Sequence, residues 1–280
     1  MKRALTIVLA LAAVAASASP GAAQDPLARL RGAARGAAAA SFPIGVSKER
    51  EIGRGVAATV AGRWPVVGDS VLTSYVSLVG FTVATQSPRW TELPFHFAVL
   101  ETEDVNAFAA PGGYIFVTRG ALRLMESEAE LAGVLAHEVA HVDQKHVLER
   151  VRRGDMLNRA REEADLTGAI LDEIAKAGTE ALFTGLGRGE EMEADSLGVI
   201  YATAAGYRPD GLATFVARLA QSGTPAARGG FLRELQATHP PAPDRLEALR
   251  RQLAASGVDP ASGRLLAERY RRFIPAPSRR

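Results

Sequence analysis

The chain has 280 residues, 47% of them hydrophobic and 23% charged, which is ample for a real core and ordinary for a globular protein. It contains no cysteine, which excludes disulfides, a cysteine-ligated metal, a thiol nucleophile and a lipid anchor on an N-terminal Cys. Of 33 basic residues, two (Lys2 and Arg3) fall in the first 23 positions and no acidic one does; the remainder balances at 31 against 31, so the sequence pI near 9.1 does not argue for nucleic acid.

The chain opens as a signal peptide. Lys2-Arg3 is a basic start, Ala4 to Ala16 an apolar run too short to span a bilayer comfortably, and small residues follow, so cleavage is expected after Ala18 or Ala23. Residues 24–44 are Ala/Gly-rich and read as a tether. A first helix is predicted from Ser47, as cap, to Arg63, with Trp64-Pro65 ending it. Asp69 caps a second, with Leu72, Tyr75, Val76 and Val79 on one stripe. Phe95–Leu100, Asn106–Ala109 and Tyr114–Thr118 read as strands, the last two joined by Pro111-Gly112-Gly113. From Gly120 the pattern is helical, over 120–125, 127–150, 155–184, 187–205, 209–222, 228–237, 242–256 and 261–273. Ala164 to Gly187 is apolar but carries Asp165, Asp172, Glu173, Lys176 and Glu180, so no membrane span is expected after signal cleavage. The expected fold is α+β and helix-dominated, with one small sheet placed just before the helix that carries the chemistry.

That chemistry is His137-Glu138-Val139-Ala140-His141. Two histidines four apart on a helix share a face, so their imidazoles can hold two corners of one Zn²⁺ site. Glu138 can lean over the open position and take a proton from the attacking water. A third ligand is sought downstream, where Glu190-Glu191-Met192-Glu193-Ala194-Asp195 stands out. Glu191 and Asp195 are four apart, so Glu191 can ligate while Asp195 steadies a ligand histidine; Glu193 points elsewhere. The bland alternative is an acidic helix start favoured by the helix dipole. His96 reads as a packed or half-exposed strand residue, and His146 as a surface residue facing away from the pair.

Taken together, these blocks resemble the M48 family of zinc metallopeptidases, its periplasmic bacterial members in particular. The matching stretches are Asn106 to Gly120, Glu128 to His141, Glu191 with Ala194-Asp195 and Gly198, Ala205-Gly206-Tyr207 with Pro209, and Thr238-His239-Pro240 leading to Arg245. The resemblance implies one zinc held by His137, His141 and Glu191, with Glu138 activating water and Asp195 as supporting acid in the catalytic set. It implies a substrate-binding strand at Asn106, Ala107, Phe108 and Ala109, and makes His239 a regulatory residue or fourth metal ligand. It also implies a peptidase domain over 45–256, followed by a C-terminal helix and basic tail over 257–280, and a zinc endopeptidase of the periplasm acting on unfolded or misassembled envelope proteins. Some members carry a C-terminal tetratricopeptide-repeat domain, which is not expected here. The alternatives are a holdase-like quality-control protein that binds exposed strands and rarely cuts, and a structural zinc protein, which would not need Glu138.

Overall fold

The computed structural model describes residues 44–153, 168–222, 239 and 243–275. The signal sequence, nearly all of the tether, the helix expected over 228–237 and the end of the basic tail lie outside the described residues.

Helix α1 (Val46–Arg63) buries Ile52, Val56 and Val60. Its cap is Gly45, without a side-chain bond, so Ser47 does not cap it; Trp64 ends it in extended conformation, as a residue before proline prefers. Helix α2 (Ser70–Ala84) starts on Asp69, whose carboxylate accepts the Val71 and Leu72 N–H groups. The predicted stripe of Leu72, Tyr75, Val76 and Val79 is buried.

Strands β1 (His96–Leu100), β2 (Ala107–Ala110) and β3 (Tyr114–Thr118) form one sheet in the order β1-β3-β2, with β1 parallel and β2 antiparallel to β3. Between β2 and β3 the chain turns at Pro111–Gly113. Gly112 there has φ of 75°, and a Cβ on it would lie 2.8 Å from the Arg50 Cα, so both conformation and space demand glycine. Alternation sets the two faces: Val99, Ala107, Ala109, Ile115 and Val117 join one core cluster, while Phe108, Ala110 and Phe116 join the other, where Phe108 stacks on Trp64 at 5.4 Å.

After α3 (Arg119–Leu124) comes α4 (Glu128–Asp143), buried along its whole length. A helix apolar or partnered on every side belongs at the centre of the packing. Ser127 caps it by accepting the Glu130 N–H at 3.2 Å. The buried Glu128 carboxylate accepts from Tyr75 (2.9 Å), Tyr207 (2.8 Å) and the Arg269 Nε (2.6 Å), which ties distant segments to the first turn.

The single helix expected over 127–150 does not form. Lys145 adopts φ of 55°, left-handed and unfavourable for a side chain with a Cβ. Buried charge holds this break. The Lys145 ammonium lies 3.6 Å from the Glu49 carboxylate, and Arg89, paired to the same carboxylate, donates to the Val142 carbonyl at 2.9 Å. The chain restarts as α5 (His146–Arg153), and α6 (Gly168–Thr184), α7 (Arg188–Ala204), α8 (Gly211–Ser222), α9 (Pro243–Ser256) and α10 (Ala267–Phe273) follow. The last helix is shorter than the predicted 261–273: Leu266 is left-handed, and Arg264 instead bridges to Tyr207. Helix α7 lies against α4, closely enough that a Cβ on Gly198 would sit 3.0 Å from the His137 nitrogen. Among the described residues, no helix is long and apolar enough to cross a membrane.

Candidate metal centre

His137 and His141 stand one turn apart on α4, and their Nε2 atoms come within 2.9 Å of each other. Glu191, in the first turn of α7, brings its carboxylate to 3.7 Å from His137 Nε2 and 3.4 Å from His141 Nε2. His239 places Nδ1 at 3.0 Å from Glu191 Oε1. One ligand atom from each of these four residues falls within a 4.8 Å circle. The four residues therefore meet, and it is Glu191, not Glu193, that faces the two histidines.

Glu138 is buried beside this cluster, its Oε1 at 3.8 Å from His239 Nε2. Its Oε2 is buried with no hydrogen-bond partner among the described residues. Leaving a buried carboxylate oxygen unpaired is costly unless something polar arrives during function. Asp195, one turn after Glu191, sets Oδ1 at 3.0 Å from His137 Nδ1. Arg245 of α9 grips that carboxylate with Nε at 2.7 Å and Nη2 at 2.6 Å, and brings Nη1 to 2.7 Å from Glu191. Sequence reading placed Arg245 only at the end of a matching block. Its part in the site is missed because a lone arginine on an amphipathic helix carries no spacing signal.

His146 is the clear correction. Instead of facing solvent it is buried, with Nδ1 at 2.7 Å from His141 Nδ1, because the break at Lys145 discards the helical phase from which it was projected. Glu193 turns to His146 and not to the ligand cluster, at 3.4 Å. His96 is exposed and stacks on Tyr114 at 4.9 Å.

The electrostatics suit a cation. Burial pushes the Glu138 carboxyl up, against the pull of His239 and His137. Burial, then the neighbouring His137, holds the His141 imidazole well below its ordinary value, in the neutral form that ligates metals. Burial also opposes ionised Glu191, but His239 and His141 outweigh it and hold that carboxylate well below its usual range. Asp195 is lowered too, Arg245 and His137 overcoming burial. His239 shows the converse: burial alone would lower it, yet Glu191 and Glu138 raise it to about 9. Two imidazoles and a carboxylate converging beside an unpaired carboxylate oxygen are a donor set that fits Zn²⁺.

Next to Glu138 opens an apolar pocket between β2, α4 and α8, with Ala107, Val134, Leu212, Phe215, Val216 and Leu219 in its wall. Strand β2 is the edge of the described sheet on this side. The Thr118 N–H bonds the Asn106 carbonyl, so pairing alternates from there and the main-chain groups of Ala107 and Ala109 point away from β3. The Asn106 side chain accepts the Ala107 N–H at 2.9 Å.

A family model described as peptidase family M48 matches residues 74–253. The beta-barrel assembly-enhancing protease of Escherichia coli O157:H7 is 27% identical over 219 residues, which cover 74% of this chain and 44% of that protein. The mitochondrial metalloendopeptidase OMA1 of Arabidopsis thaliana is 34% identical over 138 residues, 49% of this chain and 27% of that protein. The metalloprotease YcaL of Escherichia coli strain K12 is 28% identical over 162 residues, covering 55% and 60%. The chain thus spans less than half the length of the first two.

Proposed function

Because the chain belongs to peptidase family M48, we propose that it is a zinc-dependent endopeptidase of the cell envelope that cuts unfolded or misassembled proteins. Residues 45–256 form its peptidase unit. The observation that carries this reading is the buried Glu138 oxygen, unpaired among the described residues, beside the convergent His137, His141 and Glu191. The envelope setting rests on the signal-like N-terminus and on the likeness to a protease named for β-barrel assembly.

His137, His141 and Glu191 would hold Zn²⁺, which when bound polarises the scissile carbonyl and makes water more acidic. Glu138 accepts the proton of the attacking water and returns it to the leaving amine. Its raised affinity for protons, which follows from burial, suits that relay. The Asp195 carboxylate, fixed by Arg245, holds His137 in one orientation. An extended peptide adds to β2 through the outward carbonyl of Ala107 and the outward groups of Ala109, bonds that ignore side-chain identity, as a quality-control protease requires. One substrate side chain enters the apolar pocket beside Glu138.

The test is Glu138→Gln, which keeps the shape of the side chain and removes the base. Elemental analysis should find unchanged zinc, and cleavage of unfolded casein should fall by about 10²–10⁴-fold. Wild-type turnover in the variant would refute the assigned role. A wild-type protein that captures casein without cutting it would instead support the holdase alternative.

A further inference from the structure

The two histidines of α4 are backed differently. Behind His137 stands a carboxylate, Asp195, at 3.0 Å from Nδ1. Behind His141 stands another imidazole, His146, at 2.7 Å between the two Nδ1 atoms. We propose that His146 is a positioning residue for the metal: it accepts the Nδ1–H of His141, fixes that ring with Nε2 towards the ligand cluster, and passes the hydrogen bond outward to Glu193. This rests on the zinc-site reading above.

Proton counting makes the assignment. Two nitrogens 2.7 Å apart share one proton. If His141 offers its Nε2 lone pair to a cation, its ring proton must sit on Nδ1. The Nδ1 of His146 must then be the acceptor, so the neutral His146 carries its own proton on Nε2. That nitrogen is the one facing Glu193, at 3.4 Å from Oε2. Each end of the chain thus has the correct partner: a lone pair at the metal site and a carboxylate at the exit. Reversing the protons would aim the His146 lone pair at a carboxylate and a His141 N–H at the ligand cluster. Burial of both rings keeps water from replacing the bond between them. The break at Lys145 is what makes the arrangement possible, since residues five apart in an unbroken helix do not share a face.

Two measurements test this. Zinc affinity is read by competition with a chromophoric chelator for wild type, His146→Leu and His146→Asn, beside the melting temperature of each metal-free protein. Leu fills the space and cannot accept; the Asn oxygen can. His146→Leu should bind zinc about 10–100-fold more weakly, with a metal-free melting temperature lowered modestly as the His141 N–H loses its partner, and His146→Asn should recover most of both losses. Wild-type affinity in His146→Leu would overturn the proposal, as would an affinity loss left unrescued by Asn. The second measurement needs no variant: ¹⁵N-histidine NMR of the zinc-loaded protein should show His141 protonated at Nδ1 and His146 at Nε2. A His146 protonated at Nδ1 would sink the idea even if the variants fail to fold. A wild-type protein that binds no zinc would instead bring down the metal site itself.

Discussion

The proposed site would draw its ligands from two kinds of support. His137, His141 and Glu191 stand on the packed pair α4 and α7, and α4 is buried along its entire length. His239 belongs to no helix or strand, and its side chain is 12% exposed where those of His141 and Glu191 are each 1%. A ligand on a packed helix is preorganised, and its removal leaves buried partners uncompensated. A ligand outside such a frame can leave at smaller cost. On that reading the proposed site has three fixed positions and one exchangeable one.

The strongest way to break that comparison is to remove a helix-borne ligand. Glu191→Ala should abolish zinc retention and proteolysis together, because the carboxylate that both imidazoles and Arg245 face is gone. Glu193→Ala should retain zinc within about threefold, since it reaches the site only through His146, in a contact of 3.4 Å to a partly exposed carboxylate. Metal analysis after gel filtration decides between them. If Glu193 proves essential and Glu191 dispensable, the register of α7 is wrong.

Next in size is the brace. Arg245→Met leaves the buried Asp195 carboxylate without its bidentate partner, so unfolding should become easier by about 3–5 kcal/mol, read by denaturant titration. Asp195→Asn relieves the charge, so it should cost less stability while weakening zinc by about 10–100-fold. A similar loss of stability in both would mean that the carboxylate acts as a packing element and not as a charge. Chelation of zinc from the wild-type protein should lower its melting temperature; at a zinc concentration 100 times Kd the bound metal contributes about 2.7 kcal/mol.

What the sequence could reveal follows the same division. Helical spacing is a local rule, so the shared faces of His137 with His141 and of Glu191 with Asp195 are legible from intervals of four, and the strands and turn before them from alternation and from Pro111-Gly112-Gly113. The same rule misplaced His146. It assumed that α4 continues past Asp143, whereas Glu49 and Arg89, remote in sequence, hold Lys145 in a left-handed turn. Arg245 escaped for a related reason: its partners lie 50 and 54 positions away, and no local period announces them. The caps divided likewise. Asp69 was legible because its carboxylate bonds the next turn, while Gly45 begins α1 without any side-chain bond that a pattern could show.

The smallest expected effect concerns the exchangeable position. His239 sits against Glu191 at 3.0 Å and turns its other nitrogen to Glu138 at 3.8 Å, so it occupies the space between the third ligand and the base. A substrate carbonyl and the attacking water need that same space. Glu191 and Glu138 raise the proton affinity of His239 against the effect of burial. If zinc is bound, the neutral His239 ring could serve as a fourth ligand. We propose that in this position His239 closes the site until a peptide displaces it. His239→Ala should therefore leave zinc content nearly unchanged, because three ligands on α4 and α7 remain, and should raise basal cleavage of an unfolded substrate by about two- to tenfold, roughly 0.4–1.4 kcal/mol in population. The assay compares both proteins at equal zinc loading and subsaturating casein. An unchanged rate would reduce His239 to a turn residue. A lost rate would place it among the groups that bind substrate, and the division into three fixed positions and one exchangeable one would fall with it.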